Sequence, residues 1–284
     1  MSLVDPLVDP LVDPLVDLDT YFARTGYTGS RTPTLATLHA MCAAHVHTIP
    51  FENLDVLLGR GISLDPAAVD RKLLHDRRGG YCFEHNTLLL RVLQTLGFDA
   101  SPISARVRVG RPRDFTPART HVFVRVELDG ATWFADVGVG GLSPTAALRF
   151  VLDDEQATPH EPRRLVYQDG RYFHQVRFAD DWHDVCEFTL EEMPPIDREV
   201  ANWFTSAHPE SHFKNRLIVA RAIEGGRVSI LNRELTVRRG AVGETRVLAS
   251  PAELLAALAE HFGLQFPADT RFPCPALDGP TVSP

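Results

Sequence analysis

Two short segments rich in β-branched and aromatic residues, 121–128 and 131–137, are separated only by the dipeptide Asp129-Gly130. Asp-Gly between two such runs is a strong signal for a two-residue β-hairpin loop. The length of the loop fixes the register of the hairpin, so Leu128 faces Ala131 and every further pair of residues is determined. The dipeptide therefore predicts which side chains of the two strands meet.

This register brings a histidine and an aspartate together. Phe123 lies opposite Asp136 and His121 lies opposite Gly138, and all four side chains share one face because side chains alternate along a strand. His121 and Asp136 are then diagonal neighbours, about 7–8 Å apart at the backbone and within reach of their side chains. A carboxylate in this position fixes the tautomer of an imidazole and stabilises its charged form.

The chain before Gly97 has helical periodicity. Thr32-Pro33 provides an N-cap and a proline at the first helical position, and apolar residues then recur at helical spacing until Pro50. A second helix is predicted over residues 82–96, with Gly97 at its C-terminal end. Its inward residues are Leu89, Val92, Leu93 and Leu96, and Cys42 lies in the apolar stripe of the first helix.

After Gly97 the pattern changes to strands. The middle third contains further strands at 103–109, 165–167 and 172–178, with Asp169-Gly170 as a second hairpin loop. The last third is mixed, with strands near 216–223 and 227–231 around the turn Glu224-Gly225-Gly226, and a helix from the capping box Ser250-Pro251-Ala252-Glu253 to Phe262. The sequence therefore predicts an α+β fold: helices, then an antiparallel sheet or small barrel, then a mixed segment.

The chain opens with a repeat, in which Leu-Val-Asp-Pro occurs three times between Leu3 and Pro14. Proline at every fourth position excludes a continuous helix, because each proline removes a backbone donor and clashes with the preceding turn. We expect an extended or disordered tail over residues 1–19. A strand-like arm that packs on the body or on a neighbouring molecule is the alternative.

Cys82 follows a pair of glycines at the point where the second helix begins. Gly79 and Gly80 allow a tight turn that residues with a Cβ could not make cheaply. The unpaired N–H groups and the positive end of the dipole at a helix start stabilise a thiolate, and Arg77 and Arg78 add positive charge nearby. A buried structural thiol is the alternative. A cysteine, a histidine and an aspartate from separate elements are the combination that activates a thiolate for acyl transfer.

Length, charge and cysteine content exclude several classes of protein. The chain has 284 residues, enough for two or three packed subdomains. Its net charge of −8 disfavours general nucleic-acid binding, which needs a positive face. No apolar run approaches the roughly 20 residues that cross a bilayer, and no secretion signal opens the chain, so a cytoplasmic protein without a membrane segment is expected. Four separated cysteines without a C-x-x-C pair predict free thiols rather than a zinc ribbon or a disulfide scaffold.

Several motifs, in order, resemble those of the arylamine N-acetyltransferase family. Residues 78–86, reading Arg-Gly-Gly-Tyr-Cys-Phe-Glu-His-Asn, are similar to its active-site signature, and Pro50-Phe51-Glu52-Asn53 is similar to its upstream segment. Thr120-His121 and Asp136-Val137-Gly138 match its other triad positions, and residues 202–213 resemble a later loop segment. The resemblance covers residues 20–262.

The resemblance implies a cysteine-protease-like Cys-His-Asp core in an α+β fold with three parts. These are an N-terminal helical bundle over residues 20–98 that carries the nucleophile, a central antiparallel β-barrel over 99–205 that carries the histidine and aspartate, and a C-terminal α/β lid over 206–284. It also implies a ping-pong reaction with acetyl-CoA as donor and an arylamine or hydrazine as acceptor. No metal is implied.

The resemblance further assigns roles to the triad. Cys82 attacks the thioester and carries the acetyl group, His121 takes the thiol proton and assists later proton transfers, and Asp136 orients His121. Backbone N–H groups at the start of the Cys82 helix are the expected donors to the oxyanion. Residues expected to bind substrate or CoA by position are Phe51, Tyr81, Thr120, Val139, Gly140, Gly141 and Phe204.

Val139 is a departure from the family. The common sequence after the triad aspartate is Asp-Val-Gly-Phe-Gly, in which the phenylalanine lines the acceptor pocket, whereas here Asp136-Val137-Gly138 is followed by Val139-Gly140-Gly141. Loss of an aromatic face that could stack on an aryl amine removes roughly 0.5–1.5 kcal/mol beyond burial. We expect the preference among acceptors to change while the acyl-transfer chemistry is kept.

Three other functions remain open from the sequence. An amide synthase would use the same cysteine to release or cyclise a larger, carrier-bound acyl thioester such as a polyketide, and a cysteine hydrolase would pass the acyl group to water. A non-catalytic binding module would carry Cys82 as a structural thiol. Metal binding is disfavoured, because His45-Val46-His47 directs its two rings to different sides of a helix. The sequence leaves the oligomeric state open.

Overall fold

A computed structural model describes residues 15–240 and 242–278 of the chain. The Leu-Val-Asp-Pro repeat between Leu3 and Pro14 lies outside the described residues. Residues 17–19, which the sequence analysis included in the tail, belong to the start of the first helix, α1 (Leu18–Thr25). The carboxylate of Asp17 caps this helix by accepting hydrogen bonds from the backbone N–H groups of Asp19 and Thr20.

The first part of the described chain is helical, as predicted. After α1 come α2 (Leu35–Thr48), the short strand β1 (Phe51–Glu52), α3 (Leu54–Leu57), α4 (Pro66–Asp70), a π-helical turn (Arg71–His75) and α5 (Cys82–Thr95). The predicted cap of α2 was wrong by two residues. Thr34 is its N-cap, because the Thr34 hydroxyl accepts from the backbone N–H of Thr37 at 3.2 Å.

Helix α5 lies at the centre of the molecule. Every residue from Cys82 to Leu93 is buried, and the inward positions that the periodicity predicts are indeed in the core. Gly97 follows the helix with φ +89°, a conformation that glycine adopts at little cost, so the predicted end of α5 is confirmed.

A seven-stranded antiparallel sheet forms a nearly closed barrel. In sheet order its strands are β5 (Leu148–Arg149), β4 (Ala131–Ala135), β3 (His121–Leu128), β2 (Asp99–Val107), β8 (Asp181–Glu192), β7 (Arg171–Phe178) and β6 (Arg163–Gln168). Bridges from Leu152 to Leu165 and from Gln156 to Arg163 bring the chain after β5 onto β6, the opposite edge strand. The predicted barrel is therefore present.

The register predicted for the β3–β4 hairpin is confirmed as far as the strands pair, because Leu128 pairs with Ala131 and Val124 pairs with Ala135. Strand β4 ends at Ala135 rather than at the predicted residue 137, so the predicted pairs Phe123–Asp136 and His121–Gly138 lie beyond the paired residues. Asp129 and Gly130 have φ of 51° and 72°, as a type I′ turn requires at its two central positions.

Strand β8, which joins β2 to β7 within the barrel, was not predicted from the sequence. Its acidic residues obscured the strand pattern, and only Val185 to Phe188 form a continuous buried run. The structure accommodates these charges through arginines: Arg113 pairs with Asp184 at 2.7 Å, and Arg108 pairs with Glu187 at 2.6 Å.

The chain after the barrel forms two helices and a second sheet. Helices α6 (Pro195–Ala207) and α7 (His212–Asn215) occupy most of the segment that resembled a loop, so that prediction was wrong. The strands that follow are β9 (Ile218–Ile223), β10 (Gly226–Leu231), β11 (Glu234–Arg239) and β12 (Val242–Val247), and the last helices are α8 (Pro251–Phe262) and α9 (Pro275–Asp278). Gly226 begins β10 rather than ending the turn.

The second sheet has the order β1-β9-β10-β11-β12. Strand β1 pairs antiparallel with β9, where Phe51 faces Ala220. The helical part of the chain therefore contributes a strand to the C-terminal sheet, while the division into parts at 20–98, 99–205 and 206–284 stays a prediction. Among the described residues, no helix has the length and apolar character that crossing a membrane requires.

The hairpin loop gives a first testable prediction. Gly130 has φ 72° and open space around its Cβ position, so Gly130→Ala should lower the free energy of unfolding by about 1–2 kcal/mol through backbone strain alone. Asp129→Asn is the matched control and should change it by less than about 0.5 kcal/mol, because asparagine tolerates positive φ. Urea unfolding measures both, and equal stabilities of Gly130→Ala and the parent would contradict the type I′ turn.

Candidate active site

Cys82 is the first residue of α5 and lies where that helix meets the barrel. Its sulfur lies 3.5 Å from the carbonyl oxygen of Thr120, just before β3 begins. The residue is 4% exposed, so the sulfur is nearly enclosed. A nucleophile placed here meets the N–H groups of the first helical turn and little solvent.

The two glycines before Cys82 are required by close packing. A Cβ on Gly79 would lie 2.0 Å from the carbonyl oxygen of Pro50, and one on Gly80 would lie 2.6 Å from the carboxylate of Glu84. Neither glycine is among those with positive φ. The turn therefore needs glycine because other chain segments press against it.

Glu84 holds the turn in place from within α5. Its carboxylate accepts a hydrogen bond from the backbone N–H of Tyr81 at 3.0 Å and forms an ion pair with Lys72 at 2.6 Å. Burial raises the pKa of Glu84, against the lowering effect of Lys72. The same Lys72 also pairs with Asp55 at 3.0 Å, so α3, the π-helical turn and α5 are joined next to the cysteine.

Arg78 does not supply free positive charge to the sulfur, contrary to the expectation from sequence. Its guanidinium pairs with Glu52 at 2.6 Å and with Asp55 at 3.2 Å. These carboxylates offset the desolvation of the arginine and raise its pKa. Arg78 therefore anchors the turn before Cys82 to α3 and β1.

His121 and Asp136 form a buried hydrogen-bonded pair. Nε2 of His121 lies 2.7 Å from Oδ2 of Asp136, and both residues are buried. Burial alone would lower the pKa of the imidazole, but the charge of Asp136 and its hydrogen bond raise it above the ordinary value. For Asp136, burial raises the pKa, yet His121 and the surrounding donors lower it overall. The pair is thus held as imidazolium and carboxylate.

The other ring nitrogen of His121, Nδ1, is buried and makes no hydrogen bond within the described part of the chain. Cys82 is near enough for its side chain to help raise the pKa of His121. Because Asp136 occupies Nε2, Nδ1 is the nitrogen that remains for the sulfur. The three predicted side chains are therefore brought together.

Asn86 completes the group and was not assigned a role from sequence. Its side-chain N–H groups donate to Asp136 Oδ1 at 2.9 Å and to the carbonyl of Val122 at 2.6 Å, and its Oδ1 accepts from the backbone N–H of Val137 at 3.0 Å. Asn86 lies four residues after Cys82, hence on the same face of α5. That spacing was the signal that could have revealed it.

Gly138 lets the loop after Asp136 approach α5. A Cβ on Gly138 would lie 2.6 Å from Nδ2 of Asn86 and 2.7 Å from the Cα of Cys82. Its backbone N–H also donates to Asp136 Oδ1 at 3.0 Å. Gly138 thus brings the carboxylate and the cysteine within the same small volume.

Five of the residues predicted to bind substrate lie beside Cys82 or on the loop that touches it. Phe51 belongs to the same buried cluster as Cys82. A Cβ on Gly140 would lie 3.4 Å from the ring of Phe51. Thr120 contacts the sulfur through its carbonyl. Val139 and Gly141 are half-buried neighbours of Gly140. These five residues therefore lie in the same part of the structure as the sulfur.

The remaining two predicted residues connect the site to α6. Tyr81 is fully buried, and its hydroxyl donates to the side-chain oxygen of Asn202. Phe204 is half-buried on the same helix, where its ring stacks on His208 at 4.6 Å. Tyr81 therefore joins the turn before Cys82 to α6 rather than facing an open pocket.

A buried cluster of arginines around Glu161 fixes the loop that carries Val139 to Ser143. Arg227 donates to Glu161 Oε2 at 2.7 Å and to the carbonyl of Ser143 at 2.9 Å, and Arg163 donates to the carbonyl of Leu142 at 2.8 Å. Burial opposes ionisation of Glu161, but the arginines lower its pKa far below the usual range. Because these residues are distant in sequence, no local motif could have predicted the cluster.

No metal centre is found among residues 15–240 and 242–278, where no group of three or more histidine, cysteine, aspartate or glutamate side chains could hold an ion. His45 and His47 make separate hydrogen bonds. His45 contacts Tyr21 and His85, while His47 contacts the carbonyl of Ala43.

The ionic state of His121 is testable by NMR. Because Asp136 raises the pKa of this imidazole, its resonances should remain those of an imidazolium between pH 6 and pH 8, a range around the ordinary pKa of about 6.5. In Asp136→Asn the pKa should fall, since burial favours the neutral ring. Asp181→Asn, at an exposed position, should leave the titration unchanged. A parent His121 that titrates near pH 6.5 would contradict the ion pair.

The tight approach of the loop is testable by matched glycine substitutions. Gly138→Ala places a methyl group against Asn86 and Cys82 and should lower the free energy of unfolding by about 1–3 kcal/mol. At Gly141 the nearest atom to a Cβ is 3.8 Å away, on Ala220, so Gly141→Ala should be nearly neutral. Urea unfolding of the two variants measures the difference, and equal stabilities would show that Gly138 is not confined as described.

Comparisons with known proteins identify the family of the chain. The profile of the N-acetyltransferase family matches residues 34–271. The arylamine N-acetyltransferase of Mycolicibacterium smegmatis is 40% identical, over 87% of this chain and 92% of the relative. That of Escherichia coli is 39% identical, over 87% of this chain and 88% of the relative.

Similar solved structures are also arylamine N-acetyltransferases. The arylamine N-acetyltransferase of Mycobacterium tuberculosis has a TM-score of 0.85 at 40% identity, with 87% of this chain and 93% of that chain covered. The enzyme of Mycobacterium marinum in complex with CoA has a TM-score of 0.84 at 37% identity, with 87% and 92% covered. The chain therefore belongs to the arylamine N-acetyltransferase family.

Proposed function

We propose that this enzyme moves the acetyl group of acetyl-CoA to an arylamine or hydrazine by a ping-pong mechanism, with acetyl-Cys82 as the intermediate. The observation that carries the proposal is the buried His121–Asp136 pair beside Cys82 at the start of α5, where the sulfur lies 3.5 Å from the carbonyl oxygen of Thr120, the residue before His121. The solved complex of the M. marinum relative with CoA supports the choice of donor.

The first half-reaction makes the acetyl-enzyme. The Cys82 sulfur attacks the thioester carbonyl as a thiolate, a bond forms between that carbon and the Cys82 sulfur, and the carbon–sulfur bond to CoA breaks. His121, held as imidazolium by Asp136, donates its Nδ1 proton to the departing CoA sulfur. Backbone N–H groups of the first turn of α5 stabilise the oxyanion as it forms.

The second half-reaction transfers the acetyl group to nitrogen. The acceptor amine attacks the acetyl carbonyl, His121 removes a proton from the amine, and the carbon–sulfur bond to Cys82 breaks. The sulfur leaves as a thiolate beside the reformed imidazolium. Asp136 keeps Nε2 protonated throughout, so Nδ1 alone exchanges protons.

Enclosure of the sulfur favours transfer over hydrolysis. Cys82 is 4% exposed, and Phe51, Thr120 and the loop from Val139 surround it. An acyl group placed there meets few water molecules, so the intermediate should persist until an amine enters. A cysteine hydrolase would need open access of water to the same carbon.

The acetyl-enzyme is directly testable by intact-mass analysis. After rapid mixing with acetyl-CoA, the parent should gain one acetyl group, and Cys82→Ala should gain none. His121→Gln should acetylate about 10²–10⁴ times more slowly, the usual contribution of a positioned acid–base group. Cys42→Ala, which removes a core thiol from α2, should acetylate like the parent.

Two outcomes would contradict this chemistry. Absence of an adduct on the parent would exclude the covalent intermediate. An adduct that decays without any amine as fast as it forms would favour a hydrolase instead.

Position 139 should determine how well flat acceptors bind. Val139 lies on the loop beside Cys82, next to Gly140 and half-buried, where an aromatic ring could stack on an aryl amine. Val139→Phe should lower the KM for an arylamine by about 2- to 12-fold, corresponding to 0.5–1.5 kcal/mol. Val139→Leu serves as the control for side-chain volume. Equal effects of the two substitutions would contradict stacking at this position. A preference of the parent for long acyl thioesters over acetyl-CoA would point to an amide synthase.

A further inference from the structure

A hydrogen-bonded chain of three buried side chains runs behind the active site and takes no part in the proposed chemistry. The Tyr21 hydroxyl lies 3.1 Å from Nδ1 of His45, Nε2 of His45 lies 2.7 Å from Nδ1 of His85, and Nε2 of His85 lies 3.2 Å from the carbonyl oxygen of Pro50. Tyr21 and His45 are 0% exposed and His85 is 1% exposed. The chain crosses α1, α2 and α5.

The Pro50 carbonyl fixes the direction of every hydrogen bond in this chain. A carbonyl oxygen can only accept, so Nε2 of His85 carries the proton and Nδ1 of His85 must accept. His45 therefore donates from Nε2 and accepts at Nδ1, where the Tyr21 hydroxyl donates. One backbone acceptor thus sets two tautomers and the orientation of a hydroxyl.

This arrangement of donors and acceptors needs a neutral His85. Protonation of His85 at Nδ1 would place two N–H groups against each other across 2.7 Å. Burial lowers the pKa of His85 to about 4 and lowers that of His45 well below its usual range, with further lowering of His45 by His85 and Arg24. At neutral pH the three side chains act as one uncharged, rigid unit.

The end of this chain lies against Phe51. The ring of His85 stacks on the ring of Phe51, with centroids 6.2 Å apart and planes inclined by 14°. Phe51 follows Pro50 directly, and its ring supports Gly140 on the loop beside Cys82. His85 therefore holds Phe51 twice, through the preceding carbonyl and through ring contact.

The turn before Cys82 contacts the same carbonyl but also has ion pairs of its own. The N–H of Gly80 donates to the Pro50 carbonyl at 3.4 Å, while Glu84 and Lys72 hold Tyr81, and Glu52 and Asp55 hold Arg78. Because these ion pairs do not involve His85, a change in the chain behind Phe51 should disturb the wall of the pocket more than the nucleophile.

We propose that His85, supported by His45 and Tyr21, is a positioning residue that sets the Phe51 ring and thereby determines how tightly the acceptor binds. This inference rests on the proposed function, because it assigns the residues to the second half-reaction. His85, His45 and Tyr21 then affect the wall of the acceptor pocket and not the groups that form the acetyl-enzyme.

Two substitutions at position 85 separate the hydrogen bonds from the ring. His85→Phe keeps an aromatic ring against Phe51 but leaves the Pro50 carbonyl and the His45 N–H unpaired. His85→Gln can still donate to Pro50 and accept from His45, because an amide carries both functions. Tyr21→Phe removes one hydroxyl at the far end, and His183→Gln, on an exposed strand position, is the control.

The measurements are single-turnover acetylation of Cys82 by acetyl-CoA and the steady-state KM for an arylamine. His85→Phe should raise this KM about 10-fold, the value of a typical lost hydrogen bond, with acetylation within about 2-fold of the parent. His85→Gln should keep the KM within about 3-fold of the parent value. In the parent, ¹⁵N-histidine spectra at pH 7 should show His45 and His85 neutral and protonated at Nε2.

The proposal is overturned if His85→Phe leaves the KM unchanged, or lowers acetylation as much as it lowers kcat/KM. If His85→Phe does not unfold cooperatively, Tyr21→Phe carries the test, since a raised KM with normal acetylation supports the proposal and an unchanged KM overturns it. A parent that never acetylates contradicts the proposed function itself, and this inference falls with it.

Discussion

The hydrogen bond between His121 Nε2 and Asp136 Oδ2, 2.7 Å long and buried, is the interaction around which the site is built. An imidazolium inside a protein is unstable without a carboxylate, and a buried carboxylate needs donors. Asn86 and the N–H of Gly138 supply those donors. Charge on the imidazole is thus maintained by the carboxylate and its surroundings, and Nδ1 is left for the sulfur.

This interaction requires two parts of the fold to meet without space between them. The hairpin of β3 and β4 delivers the histidine and the aspartate, and α5 delivers Cys82 and Asn86 on one helical face. Gly138 permits contact because any side chain would collide with α5. The Glu84–Lys72 ion pair keeps the cysteine turn in place from the other side. Positioning, rather than unusual chemistry at one residue, generates the reactive site.

Features fixed by local rules could be predicted from the sequence. The Asp129-Gly130 turn determined the register of β3 and β4, and Gly97 determined the end of α5. Features that depend on distant partners could not. Strand β8 is stabilised by arginines elsewhere in the chain. Residues 202–213 resembled a loop segment of the family, whereas most of them lie in α6 and α7. Arg78 was expected from the sequence to place positive charge near the sulfur, but its guanidinium pairs with Glu52 and Asp55, which are distant in sequence.

The central claim is that His121 and Asp136 maintain an ionised sulfur at position 82 at neutral pH. The most direct measurement is the ultraviolet absorbance of the thiolate at pH 7, taken as the difference between the parent and Cys82→Ala. One thiolate per chain should be present in the parent and absent from His121→Gln. A parent spectrum equal to that of Cys82→Ala at pH 7 would contradict the account.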